Sequence, residues 1–193
     1  MILPIVAYGD PVLKKVAEDI GSDYPGLKEF IADMFDTMYH AKGVGIAAPQ
    51  VGRSIRLFVI DATAFADDEE NTEEEAEELR DFKRVFINAR IIEEEGEEWP
   101  FNEGCLSIPK IREDVYRKPF IKMRYMDENF DEYEEEFDGV IARIIQHEYD
   151  HIEGILFTDR INPLRKRLLK RRLTDISKGN IDIDYKMRFP LKK

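Results

Sequence analysis

The run Gln146-His147-Glu148-Tyr149-Asp150-His151 carries the pattern His-Glu-x-x-His. On a helix, positions i and i+4 lie on one face. His147 and His151 could therefore aim two imidazoles at one metal ion, with Glu148 beside them as a base. A match this short is equally compatible with two ordinary helix histidines, one packed and one solvated. The neighbours favour the metal. Val140, Ile144, His147 and His151 recur at spacings of four, three and four, so the histidines share a face with branched apolar residues. Unpartnered imidazoles there would be costly, and a metal would satisfy both.

Catalytic sites of this kind use three protein ligands and keep one position open. The metzincin continuation, His-x-x-Gly-x-x-His, places Phe157 at the third ligand, and phenylalanine binds no metal. A carboxylate from a later helix also fails, because residues 166–173 read KRLLKRRL. The remaining candidate lies upstream: Cys105, the single cysteine, in NEGCLSIP. A lone cysteine is commonly a buried structural thiol. Thiolate plus two imidazoles is also a recognised tetrahedral set with an open position. Gly104 would permit close backbone approach, and Pro109 is expected to end the segment.

The elements that must position these residues follow from periodicity. Leu27, Phe30, Ile31, Met34, Phe35 and Met38 form an apolar stripe, which predicts a helix over 22–42. Residues 43–52, GVGIAAPQVG, read as a loop. Strands are predicted over 56–61, 84–93, 120–127 and 131–138. Asp138 is a plausible N-cap for the histidine helix, with Gly154 as terminator. A basic helix over 163–173 opens with Pro163. Residues 174–193 read as a polar tail with one alternating piece, IDIDYK. The expected fold is α+β: antiparallel or mixed sheets around a central metal-binding helix, with an N-terminal helix and a C-terminal basic helix. At about 100–200 residues per domain, the chain reads as one catalytic domain over 1–193.

The net charge of −12 is unevenly spread. Residues 67–81, DDEENTEEEAEELRD, account for −9 of it. They lack a core-facing stripe and read as a solvated acidic insertion. RKRLLKRR, 165–172, holds six basic residues and no acidic one. No run approaches the roughly 18 apolar residues of a membrane span, and MILPIVAYGD lacks the basic start of a secretory signal. A single cysteine suits a reducing compartment. The expectation is a cytoplasmic protein with no membrane partner and no sequence-specific nucleic-acid binding.

Gly43-Val44-Gly45-Ile46-Ala47-Ala48-Pro49-Gln50, Glu103-Gly104-Cys105-Leu106-Ser107 and Gln146-His147-Glu148-Tyr149-Asp150-His151 together resemble the three signature motifs of the peptide deformylase family, in the family's order. The resemblance spans most of the chain; the acidic stretch 67–81 departs from it as an insertion. It implies removal of the N-formyl group from the initiator methionine of nascent polypeptides, with release of formate. It implies Cys105, His147 and His151 as ligands of one divalent metal. Iron(II) is the metal expected in the cell, and zinc, nickel or cobalt could occupy the site in a preparation. Glu148 would be the base. The Gln50 amide and the Leu106 backbone N–H would stabilise the oxyanion. Without the resemblance, Gln50 would read as a solvated loop amide.

For the methionine side chain the candidates are Val44, Phe101, Val140 and Ile144, which ordinary core packing would explain as well. Gly43 and Gly45 would let the backbone run beside the substrate as an added strand. Arg112 is a candidate contact to the peptide backbone, with a surface or ion-pair role as the alternative. Glu103 could pair with Arg112 or Arg117. His40 reads as structural or exposed. The basic helix resembles a ribosome-docking element. Rival readings are an aminopeptidase-like zincin, which lacks its third ligand here, and a closed structural metal site, for which only His40 remains as fourth ligand.

Overall fold

Between Asp138 and Gly154 the chain forms a helix that is buried on nearly every side. In the computed structural model, which describes residues 1–191, this helix, α3, spans Gly139–Ile152. Ile141, Ala142, Ile144, Ile145 and Ile152 pack into the largest apolar cluster. Asp138 is the N-cap by position, but its side chain caps no N–H. Gly154 ends the helix with φ +72°, and a Cβ there would stand 2.7 Å from the carbonyl oxygen of Lys14. Glycine is needed at that crossing.

The other helices are α1, Leu27–His40; α2, Glu73–Arg80; and α4, Pro163–Ser177. α1 starts five residues later than the stripe suggested. Pro25 biases Tyr24 away from helix, and Gly26 is left-handed at φ +67°. α4 runs on to Ser177 because Leu169, Leu173 and Ile176 are buried beneath it. It thereby takes four residues of the expected tail.

Five strands form the main sheet: β2, Gly45–Ala47; β3, Leu57–Asp61; β4, Lys83–Glu95; β7, Phe120–Met126; and β8, Glu132–Phe137. Their spatial order is β2-β3-β4-β7-β8, and every pairing is antiparallel. β2 overturns the loop reading of 43–52. Ile46 and Ala47 pair with Val59 and Phe58, and a short 3-10 turn follows over Ala48–Val51. The Gly and Pro content hid a segment whose structure comes from its partner strand.

β5, Trp99–Cys105, and β6, Ile108–Arg117, form a separate antiparallel hairpin. It was not anticipated, and Pro109 lies inside β6 rather than ending the segment. A two-stranded sheet has two open edges, which is where Pro100 and Pro109 can be tolerated. β1, Ile5–Val6, pairs in parallel with β9, Met187–Arg188. The tail is thus tied to the N-terminus by backbone pairing. IDIDYK itself forms no strand, and positions 192 and 193 of the predicted tail lie outside the described residues.

The acidic insertion also differs from its sequence reading. A reciprocal cap between Thr72 and Glu75 starts α2, satisfying first-turn donors. Ala76 and Leu79 are buried, so the stretch does present a small core-facing stripe. The architecture is α+β, with antiparallel sheets and one short parallel pair. No described helix is long and apolar enough to cross a membrane.

Candidate active site and metal centre

Cys105 and Ile108 pair across the end of the β5–β6 hairpin, with Leu106 and Ser107 as the turn. That turn carries the Cys105 thiol to α3. The Sγ lies 3.4 Å from His151 Nε2. Ligand atoms of Cys105, His147 and His151 all fall within 4.8 Å of one another. Phe157, which stands where a metzincin ligand would be, stacks on the His147 ring at 6.2 Å between centroids.

His147 is supported from behind, whereas His151 Nδ1 is buried with no hydrogen-bond partner among the described residues. His147 Nδ1 lies 2.8 Å from Glu103 Oε1. Glu103 is buried and receives Arg117 Nε at 2.8 Å and Arg143 Nη1 at 3.2 Å. Arg117 also donates to Asp150 Oδ2 at 2.8 Å, and Arg160 Nη2 donates to Asp150 Oδ1 at 2.6 Å. Burial works against the Glu103 charge, but Arg117 and His147 outweigh it and hold the carboxyl well below its usual range. His151 is driven toward its neutral form by burial and by the neighbouring His147. Neutral imidazole is the ligating form.

Glu148 is buried, and its Oε2 has no hydrogen-bond partner among the described residues. Burial pushes its carboxyl up to about 7, against the opposing pull of His147. It abuts Gly45, where a Cβ would stand 2.6 Å from Glu148 Oε1. Gln50 is not a solvated loop amide. It is 1% exposed, its Oε1 accepts from the Ala47 N–H, and its Nε2 lies 3.4 Å from Cys105 Sγ.

A cavity of about 500 Å³ opens over these groups. Cys105, His147, Glu148, Gln50, Leu106, Gly43, Val44, Gly45, Phe101, Arg112 and Ile144 all line it. Val140 does not; it packs against the main core. Arg112 is exposed and donates to the Asn102 side chain at 2.8 Å and to its carbonyl at 2.7 Å. Glu103 therefore pairs with Arg117 and Arg143 rather than Arg112. His40 is exposed. Sequence reasoning missed Lys42, Phe65, Ile183 and Tyr185 in the wall. It also missed Arg143 and Asp150 behind the ligands. Arg143 sits mid-helix in an apolar run, and a buried arginine there was the one available hint.

Thiolate and imidazole are donors that suit a first-row transition metal better than magnesium or calcium. Cys105 and His147 line the cavity, and His151 completes the three-donor cluster behind them. The Glu148 carboxylate stands beside it with no partner on Oε2 among the described residues. The arrangement has the chemistry of a metal-dependent hydrolase. Comparison with known proteins gives the family. The polypeptide deformylase family model matches residues 2–167. The peptide deformylase of Christiangramia forsetii is 62% identical, over 100% of this chain and 98% of its own. That of Flavobacterium johnsoniae is 61% identical over the same shares. The crystal structure of the Thermus thermophilus peptide deformylase superposes with a TM-score of 0.79 at 38% identity, covering 93% of this chain and 99% of the other. The chain belongs to the polypeptide deformylase family. It is an enzyme that removes the N-formyl group from nascent polypeptides.

Proposed function

We propose that Cys105, His147 and His151 hold one divalent metal on a central helix, and that Glu148 is the base of deformylation. The observation that carries this is the buried, unpartnered Glu148 Oε2 beside the three-donor cluster. A divalent metal bound there supplies Lewis acidity to the formyl carbonyl and to water. Glu148 takes the proton from the attacking water and delivers it to the leaving amine. Its raised affinity for a proton suits both halves of that transfer. Gln50 Nε2 and the Leu106 N–H face the developing oxyanion. One such donor contributes roughly 2.7–4 kcal/mol.

The substrate chain lies along β2. β2 is an edge strand of the main sheet; the Ala47 N–H is taken by Gln50, and the outward backbone groups of Gly45 are left to pair with an extended peptide. Gly43 and Gly45 keep that edge close to the site. Val44, Phe101 and Ile144 receive the methionine side chain, with Val140 supporting them from the core. Arg112, held by Asn102 at the rim, faces the peptide backbone. Rejection of an acetyl group is steric, because one methyl in a pocket is worth only about 1–3 kcal/mol.

In the cell the metal is iron(II), with zinc, nickel or cobalt able to replace it. The chain acts as one cytoplasmic catalytic domain. The exposed basic side of α4, with Arg167, Lys170 and Arg171, docks on the ribosome through phosphate contacts. Metal analysis of anaerobically purified protein, paired with formate release from a formyl-Met peptide, tests the site. One equivalent of iron and turnover that disappears with its removal are expected. Full turnover by metal-free protein would refute it.

A further inference from the structure

The segment after α4 lies beyond the residues matched by the family model, yet it reaches the reaction site. Tyr185 Oη donates to the Leu106 carbonyl at 2.7 Å. Tyr185 and Ile183 line the same cavity as Glu148 and Cys105. Between them, Asp184 points outward and faces Lys42 at 3.8 Å. The segment is anchored just downstream by the β1–β9 ladder. There the N–H groups of Ile5 and Ala7 donate to the Lys186 and Arg188 carbonyls, each at 2.9 Å.

We propose that this tail is a working wall of the active site, with Tyr185 as a positioning residue for the Leu106 turn and Ile183 as a contact for the substrate. The first part rests on the reading of the Leu106 N–H as an oxyanion donor. That N–H and the carbonyl gripped by Tyr185 flank the same α-carbon. The next carbonyl in the turn, Ser107, accepts from the Tyr8 N–H at 2.9 Å. Two independent hydrogen bonds, one from each end of the chain, thus fix a two-residue turn that no helix or strand contains. Fixing it matters because donor placement must hold to about 0.5 Å. A misplacement of about 1 Å can cost on the order of a hundredfold in rate. The half-buried side chain of Ile183 adds apolar surface to the wall of the cavity.

Tyr185→Phe removes the hydroxyl and keeps the ring. Holoenzyme assays on a formyl-Met tripeptide should show kcat reduced about tenfold with KM within about twofold and metal content unchanged, as expected when an interaction made only in the transition state is lost. Ile183→Ala should show the opposite split: KM raised several-fold and kcat retained. Wild-type kcat in Tyr185→Phe overturns the positioning role, and so does a loss that tracks lost metal. An unchanged KM in Ile183→Ala overturns the wall, and that result stands even if Tyr185→Phe fails to fold. Glu148→Gln, assayed alongside, separates the two levels. If it loses turnover while both tail variants behave as wild type, only the tail assignment fails; if it keeps turnover, the site assignment fails first.

Discussion

Glu103 and His147 are joined by a 2.8 Å contact between Oε1 and Nδ1, and both side chains are buried. The contact turns the other ring nitrogen toward Cys105 and His151. It also lets Arg117 and Arg143 act on the cluster from behind. Carboxylate partners of this sort orient a ligating imidazole, and their loss typically costs about 10–100-fold in metal affinity. Glu103→Gln should weaken metal binding by that factor, as read by chelator competition. Undiminished affinity would show that His147 is oriented by packing against Phe157 alone.

Gly45 is required by the base, not by its own backbone angles. A methyl at this position would meet Glu148 Oε1 at 2.6 Å, Cγ at 2.8 Å and Cδ at 2.9 Å. Gly45→Ala should lower kcat at least about tenfold with metal retained, because the carboxylate must swing from its place. A variant with normal kcat would mean that Glu148 has room to relocate without consequence.

Leu79 gives α2 its hold on the core. Leu79→Ala should destabilise the protein by about 2 kcal/mol or more, while kcat on a short peptide stays the same. Denaturant unfolding followed at constant metal load measures the first. An undetectable stability change would return the stretch to the status of a solvated insertion.

Asp159 links the N-terminal segment to α4 through Lys14 and Lys166. Burial opposes its charge, but hydrogen bonds from Lys14, Lys166 and the Leu156 N–H prevail, so its pKa lies below the ordinary aspartate value. The folded pKa is the lower one. Its contribution is therefore present above the unfolded value of about 4 and lost as pH falls through the folded one. Asp159→Asn should cost less than about 1 kcal/mol at neutral pH. The difference from wild type should fade in acid. A difference that grows in acid would contradict the assignment.

α4 buries Leu169, Leu173 and Ile176, so truncating it would open the core. Reversing Arg167, Lys170 and Arg171 to glutamate is the cleaner variant. Ribosome binding should weaken and lose its salt dependence, with peptide turnover intact. Ribosome association equal to wild type, or none in either protein, would contradict the docking proposed for α4.

The site helix was readable because everything that makes it lies within it or at its ends. The 140, 144, 147, 151 face and Gly154 are local features of a 3.6-residue period. Cys105 was reachable by exclusion, since Phe157 and KRLLKRRL offered no ligand. Its setting was not reachable. Pro100 in β5 and Pro109 in β6 disguised both strands, because proline within a run argues against a strand. The Glu103–Arg117–Asp150 chain is made by a fold that brings together residues up to 47 apart in sequence. Tyr185 was the least legible. A polar stretch with no period carries no sign that one hydroxyl grips a carbonyl 79 positions away.

Formate release from a formyl-Met peptide by metal-loaded Glu148→Gln tests the central assignment most directly. With one equivalent of metal retained, turnover should fall by about 10²–10⁴-fold, the usual contribution of a positioned acid–base group. Turnover within a few-fold of wild type would show that the unpartnered carboxylate beside the cluster is not the base.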